Sequence, residues 1–473
     1  MNPNTIQGAL TDTDFTLVGM VGGKRALQSI PVPPQMSNWS TLFTQAVQAG
    51  LTSVWVLPGS RFSREVTCSS LEQVDSVWEV VATYSQLDPA LPLCASVWRK
   101  LRSGRQGPVL SLTFPEYGGW EWQLPDATAL LATVTYVEHA LGTPVNCSPE
   151  QLALDLLKSL TVETDASWTR PPTVDLRSLP TSDGQTLPIL ESARPVVWTR
   201  PLTIAEWRLK YLHKYERNTL DLESCTGVLL GAGDPLYSAN GRAYDGKMPG
   251  IWRVKAETAG SIFDGKRLPS CIHGEWMSTP EVKCCTDIAY QVQVTEGYYW
   301  PESHRTLERW ATALWRAYQR FKLTSTAYRH AQARSNASHT IQAITRLGIA
   351  KLADFAPLAR KQEEAPGGLY RPDWWAQIVG QSRASVFAHL VTLVRQGSMP
   401  VLVDRQALWF VSNDPNPLTA VPGLLAPEKP GGYKAAYETP LPLSGEIKEA
   451  LRSTNNVTQL AAMLDALATE KVA

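Results

Sequence analysis

YERNTLDLESCTGVLLGAGDP, residues 215–235, ends in a glycine-rich turn that separates two differently patterned halves of the second part of the chain. Upstream, TIAEWRLKYLHKYERN (203–218) predicts a helix leading into the turn. Downstream, GIWRVKAE (250–257) and YQVQVTEGYYW (290–300) carry the β-branched and aromatic residues of strands. Residues 304–333 then predict a long helix, because Leu307, Trp310, Leu314, Tyr318 and Phe321 recur three or four apart. Ser335–Asn336 read as its end, and a second helix runs to about 353, which makes an antiparallel helical hairpin. A third helix starts with Asp373 as N-cap and stops at Gly397. PVLVD (400–404), two turn residues and ALWFVS (407–412) then spell a β-hairpin. Residues 441–473 offer one or two amphipathic helices.

The first part is patterned as α/β. TLVGMV (16–21), TSVWVLP (52–58) and VLSLTF (109–114) read as strands, and WSTLFTQAVQAG (39–50) and DATALLATVTYVEHALG (126–142) as helices. The polar, proline-containing stretch around 166–194 reads as a linker or extended crossing.

Composition narrows the function classes. The 473 residues hold 44 basic and 44 acidic side chains, so a uniformly basic nucleic-acid coat is excluded and any such contact must come from local charge. The segregation is real: residues 302–361 contain eleven Lys/Arg against three Asp/Glu. Seven cysteines without a C-x-x-C pair or a nearby His give no zinc pattern and read as reduced thiols. Neither an apolar run of about 18 residues nor a basic, apolar N-terminal leader is present, so the chain reads as soluble and cytoplasmic, without a membrane partner. No P-loop and no Ser/His/Asp spacing occurs, and Gly231-Ala232-Gly233 lacks the third glycine of a dinucleotide turn.

Four segments in order resemble those of protein-primed family B DNA polymerases. In 215–235, Asn218, Leu220, Gly233, Asp234 and Pro235 match motif A and the G-[ED]-P that follows it, with Glu216 at the catalytic aspartate and Asp221 at the sugar-screening tyrosine. HGEWMSTPEVKCCTDIAYQVQVTEGYYW (273–300) is similar to the segment between motifs A and B. SHTIQAITRLGIAKLA (338–353) stands at motif B, with Gln342, Arg346, Ile349 and Ala350 replacing its Lys, Asn, Tyr and Gly, and Lys351 retained. PVLVDRQALWF (400–410) matches the motif C hairpin, with Asp404 kept and Gln406 in place of the second carboxylate. GGYKAAYE (431–438) resembles the small Lys-containing motif beyond the palm, with Lys434 as its lysine.

The resemblance implies α/β and α+β domains: a degenerate RNase H-like exonuclease-type domain (1–165), a linker (166–194), a palm in two parts (195–301 and 362–440), helical fingers (302–361) and a short thumb or C-terminal helices (441–473). In the first domain Ser63 stands where the N-x-x-F-D element has its Asp, and Asp12-x-Asp14 approaches the D-x-E motif but reads as a solvated turn ahead of a strand. Glu216 and Asp404 are expected on adjacent palm strands with carboxylates within about 8 Å.

Nucleotidyl transfer uses two divalent ions about 4 Å apart. Glu216 carries one methylene too many, and Gln406 offers a neutral oxygen where a charge is needed, so no metal, cofactor or catalytic residue is expected from this vestigial set of Glu216, Asp404, Gln406 and Asp221. The expected function is a non-catalytic, polymerase-like protein binding DNA or RNA in a replication, mobile-element or other nucleoprotein complex. Its contacts would be Arg305, Arg309, Arg316, Arg320, Lys322, Arg329, Arg334, Arg346, Lys351 and Lys434, with Trp300 and Trp315 available to stack on bases, while Trp310 and Tyr318 fit the apolar stripe and read as core. Two alternatives stand beside it: a divergent Mg²⁺-dependent polymerase using Glu216 and Asp404, and a protein-interaction scaffold that binds no nucleic acid.

Overall fold

The computed structural model describes residues 7–21, 24–32, 39–67, 70–71, 77–84, 90–101, 104–117, 119–120, 122–145, 148–162, 170–189, 196–217, 220–256, 275–288, 292–322, 330–353, 370–405, 407–426, 429, 431–453 and 456–470. The chain forms two compact units, residues 1–160 with 312–348, and residues 161–311 with 349–473. The region expected as fingers (302–361) is therefore shared between the two.

In the first unit, β1 (Gln7–Leu10), β2 (Asp14–Val21), β3 (Lys24–Pro31), β4 (Ser53–Val56), β5 (Trp78–Tyr84), β6 (Pro92–Leu101) and β7 (Gly104–Thr113) build one sheet of order β3-β2-β1-β4-β7-β6-β5. β4 runs parallel to both β1 and β7, and the other pairs are antiparallel. All four residues of β4 are buried, as a central strand covered on both faces requires. Helix α1 (Trp39–Gln48) puts Leu42, Phe43 and Ala46 into a core with Trp78, Leu112 and Phe114. Two further helices are α2 (Arg61–Glu65) and α3 (Ala127–Leu141). Asp126 caps α3 by accepting from the Ala129 N–H at 2.8 Å, and Gly142 closes it at φ 70°. Helix α4 (Pro149–Val162) follows. Cys94 on β6 is disulfide-bonded, so the expectation of wholly reduced thiols fails there.

The second unit contains β8 (Val197–Thr199), β9 (Tyr211–Arg217), α5 (Leu220–Gly227), β10 (Leu230–Gly231), β11 (Leu236–Ser238), β12 (Gly250–Ala256), β13 (Trp276–Ser278), α6 (Thr279–Asp287), β14 (Val292–Tyr299) and β15 (Ser303–His304). Helices α7 (Glu308–Lys322) and α8 (Ala331–Ala353) carry the chain into the first unit and back. α9 (Pro372–Arg395), β16 (Leu402–Asp404), β17 (Ala407–Ser412), β18 (Tyr433–Ala435), β19 (Leu441–Pro442), α10 (Gly445–Ser453) and α11 (Val457–Glu470) complete it. The main sheet has the order β18-β9-β17-β16-β8, with β19 also on β9, and a second sheet has the order β11-β14-β12-β13.

Two sequence expectations are corrected here. Residues 211–217 are a strand, not the end of a helix. Leu212, His213, Tyr215 and Arg217 are all buried because β9 lies inside a sheet covered on both faces, a pattern that also imitates helical spacing. Ser335–Asn336 does not break α8. Asn336 is buried within it, and its amide accepts from the Gln123 N–H at 3.1 Å and donates to the Gln123 carbonyl at 2.8 Å, so tertiary bonds replace the local ones that disfavour Asn in helices. The helix begins instead at Ala331, where His330 Nδ1 accepts from the Ala333 N–H.

The described part of the expected linker, 170–189, is built into the second unit. The Thr173 N–H and hydroxyl donate to Asp234 at 2.6 and 2.7 Å, and Ser182 does the same to the buried Glu296. Across the turn at 231–235, the Trp300 ring lies where a Gly231 side chain would be, which leaves room for glycine alone.

Arg371 fastens these parts together. Its side chain is fully buried and forms a two-pronged pair with Asp373, at 2.9 Å from Nε and 2.6 Å from Nη2. Nη2 also donates to the Gly231 carbonyl, and the guanidinium lies 4.0 Å from the centre of the Trp374 ring. Asp373 thus sits in the first turn of α9, and Arg371 takes the N-cap position assigned to Asp373 from the sequence. Asp373→Ala leaves this guanidinium without its counter-charge in a dry site. Chemical denaturation should show a loss of about 3–5 kcal/mol, against less than 1 kcal/mol for a control such as Lys283→Ala at the exposed Lys283–Asp287 pair.

Candidate functional site

Register places the vestigial carboxylates in one row. Glu216 is opposite Ala407, Ala407 is opposite Asp404, and Lys434 flanks Glu216 from the other side. Directly opposed residues point to the same face, so Lys434, Glu216, Ala407 and Asp404 form a line across the sheet. The expectation of adjacent strands is corrected: β9 pairs with the second strand of the hairpin, so β17 stands between Glu216 and Asp404. At strand spacings of about 4.8 Å, their backbones are two steps apart.

Lys214 shares this face, because it precedes Glu216 by two on the same strand. Its ammonium lies 2.9 Å from Glu216 and 2.8 and 3.0 Å from the two oxygens of Asp465 on α11. The Trp409 and Tyr437 rings line the amine at 5.4 and 5.8 Å, and the Tyr437 hydroxyl donates to Asp465. Burial pulls the Lys214 pKa down, but the hydrogen bonds to Asp465 and Glu216 outweigh it and hold the ammonium above its ordinary value. Asp404 is half-buried and its Oδ1 has no hydrogen-bond partner; burial pushes its pKa up, against the lowering pull of Arg405 and Lys214.

Glu216 holds an ammonium, and Asp404 is separated from it by the alanine strand. Asp221 is the second residue of α5, with its side chain outside the described residues, where Gln406 and Arg329 also lie. In the first unit the Ser63 hydroxyl donates to Glu116, which also accepts from the Gly59 N–H at 3.2 Å. Asp12 lies in the β1–β2 turn and accepts the Arg61 N–H at 2.5 Å, in keeping with its reading as a turn residue, while Asp14 opens β2.

The basic residues separate by face. On α7, Leu307, Trp310, Ala311, Leu314, Ala317, Tyr318 and Phe321 are buried, whereas Arg309, Arg316 and Arg320 are exposed. At 100° per residue the three arginines fall within an arc of about 40°, turned about 140° from the centre of the apolar stripe. Arg305 is exposed just before the helix, and Lys322 ends it, its side chain outside the described residues. Arg320 reaches the Ala140 carbonyl at 3.4 Å, and among the described residues no carboxylate pairs with Arg305, Arg309 or Arg316. On α8, Arg346 is exposed, Arg334 and Lys351 are half-buried, and Gln342 donates to the Tyr318 hydroxyl at 3.5 Å. Trp310 and Tyr318 are core residues, as their place in the apolar stripe implies, and Trp300, which was open to base stacking, is buried as well. Trp315 alone of the four keeps partial exposure, stacked on Tyr318 at 5.7 Å.

Lys214, Asp465 and Glu116 were not anticipated. Lys214 was within reach, since a strand reading of 211–217 puts it beside Glu216; nothing local announces Asp465 or Glu116.

No protein-family model and no curated protein matches the chain. Among solved structures it is similar to phi29 DNA polymerase complexed with single-stranded DNA, at 11% identity over 91% of this chain and 84% of that one, with a TM-score of 0.47. The same polymerase with primer-template DNA and incoming nucleotides gives 9% identity over 92% and 84%, with a TM-score of 0.48. Among the described residues no helix is long and apolar enough to cross a membrane.

Asp404 supplies a test of the row. A carboxyl whose pKa is raised on folding contributes stability below its unfolded-state value, near 3.8, and loses it as pH rises through the folded value. Asp404→Asn should therefore raise the melting temperature at pH 7, and the gain should shrink towards zero below about pH 3.8, where both side chains are neutral. Thermal melts across pH 3–8 read the difference directly.

Proposed function

We propose that this chain is a non-catalytic, polymerase-like protein that binds nucleic acid through the arginine stripe of α7 within a nucleoprotein complex. The arginine stripe carries the reading. In a chain of zero net charge, a helix anchored by one apolar face turns three arginines to the opposite side, with a fourth just ahead of it. Guanidinium groups bind phosphate oxygens bidentately, and α7 holds them on a firm backbone at near-regular spacing. The order of the four polymerase-like sequence segments supports the same reading, as does the β3-β2-β1-β4 order of the first sheet, with β1 and β4 parallel, which is the arrangement expected of an RNase H-like domain.

The carboxylate row supports a silent site. Its glutamate is engaged by Lys214, and its aspartate stands on the far side of β17. On this reading no metal cofactor is required, and binding is not sequence-specific because phosphates carry no base identity.

Fluorescence anisotropy against single-stranded, duplex and primer–template DNA, with and without Mg²⁺ and nucleotides, tests this directly. Neutralising about four phosphates gives a log–log salt slope of about −3 to −4. The combined change Arg309→Glu, Arg316→Glu and Arg320→Glu should abolish binding with the circular dichroism spectrum unchanged. Parent-like binding by that variant would place the contact elsewhere, and absence of binding by the parent at low salt would favour the scaffold. Primer extension by the parent that is lost in Asp404→Ala would establish the polymerase alternative.

A further inference from the structure

We propose that Lys214 is the resident cation of the carboxylate row, fixed there by Asp465 of the C-terminal helix, and that it excludes divalent ions from this face of the sheet. The inference concerns cation occupancy and stands or falls separately from nucleic-acid binding.

Three observations converge on it. First, the ammonium bridges: it contacts Glu216 on its own strand and both oxygens of Asp465, which comes from more than two hundred positions later in the chain. Those oxygens are the lone pairs a metal would use, and Mg²⁺ would need them at about 2.1 Å in octahedral array. Second, the amine is enclosed. The Lys214 side chain is only 10% exposed, and the Trp409 and Tyr437 rings present their electron-rich faces to it, a surrounding that suits a monovalent ammonium. Third, local charge balances without an added ion. Glu216, Asp404 and Asp465 are matched by Lys214, by Lys434 in register beside Glu216, and by Arg405 next to Asp404.

α11 is the part that makes the arrangement durable. Leu460, Ala461, Leu464 and Ala468 bury against Leu212, Leu402 and Trp409 on the same face of the sheet, and this packing delivers Asp465 to the amine. A dication would have to displace a hydrogen-bonded ammonium from an aromatic enclosure and then tolerate it close by. Lys214→Met keeps the length and the apolar stem while removing the charge.

Titration of Mn²⁺ by calorimetry and by electron paramagnetic resonance tests the proposal on the full chain. The parent should show no Mn²⁺ binding that Glu216→Gln removes. Lys214→Met should gain one Mn²⁺ site, an increase in affinity on the order of a hundredfold from removing a neighbouring like charge, and Lys214→Met with Glu216→Gln should lose it again. Lys214→Arg, which retains the cation, should stay as free of Mn²⁺ as the parent. Parent binding that is abolished by Glu216→Gln would overturn the proposal, and this arm holds whether or not Lys214→Met folds. A folded Lys214→Met that gains no site would overturn it as well.

Discussion

A guanidinium with no access to water must find its hydrogen bonds inside the protein, and Arg371 finds them in segments far apart in the chain. It takes Asp373 from its own helix, the Gly231 carbonyl from the turn after α5, and, at 3.4 Å, the Arg170 carbonyl from the segment that precedes the sheet, while its own N–H donates to Leu352 at the end of α8. Trp374 donates to the same Gly231 carbonyl at 2.7 Å. An isolated buried charge is so unfavourable that these segments are held to one arrangement. The helix that backs the sheet, α9, starts at this cluster.

The main sheet of the second unit has two unlike faces. One is packed by α9 and is largely apolar, with Tyr215, Val403, Leu408, Phe410 and Tyr433 in a single core. The other is apolar at one end, under α10 and α11, and ionic at the other, where the row begins. His213 shows how dry the first face is: burial lowers its pKa, and its Nε2 is satisfied by the Asp414 carbonyl at 2.9 Å while Nδ1 has no partner. The ionic end is therefore the part of this sheet where charged side chains gather.

Much of this was legible from local pattern. The apolar stripe of α7, the hairpin at 402–409 and the extent of α3 are set by near neighbours, and local pattern alone found them. β9 was missed because Trp207, Tyr211 and Tyr215 recur four apart and so fit a helical face, while its buried positions include His213 and Arg217, which do not mark an apolar alternation. That one error concealed Lys214, whose meaning depends on sharing a face with Glu216. The α8 start was missed for a related reason: Asn336 is unfavourable in a helix by its local preferences and acceptable only because Gln123 and Thr133 bind its amide. The basic character of α7 was plain from composition, but its restriction to one side required the helix itself.

β9 also governs when the protein can finish folding. Glu216 pairs with Ala407 and Lys434, 191 and 218 positions later, so no neighbour for this strand exists until most of the chain is available. Closing loops of that length is entropically costly and slow, and sheets dominated by such distant pairings form late. In the interval β9 has two open edges and one face carrying the Tyr211 and Tyr215 rings, and open strand edges are where intermolecular pairing starts. A fragment ending before residue 400 would lack every strand that pairs with β9.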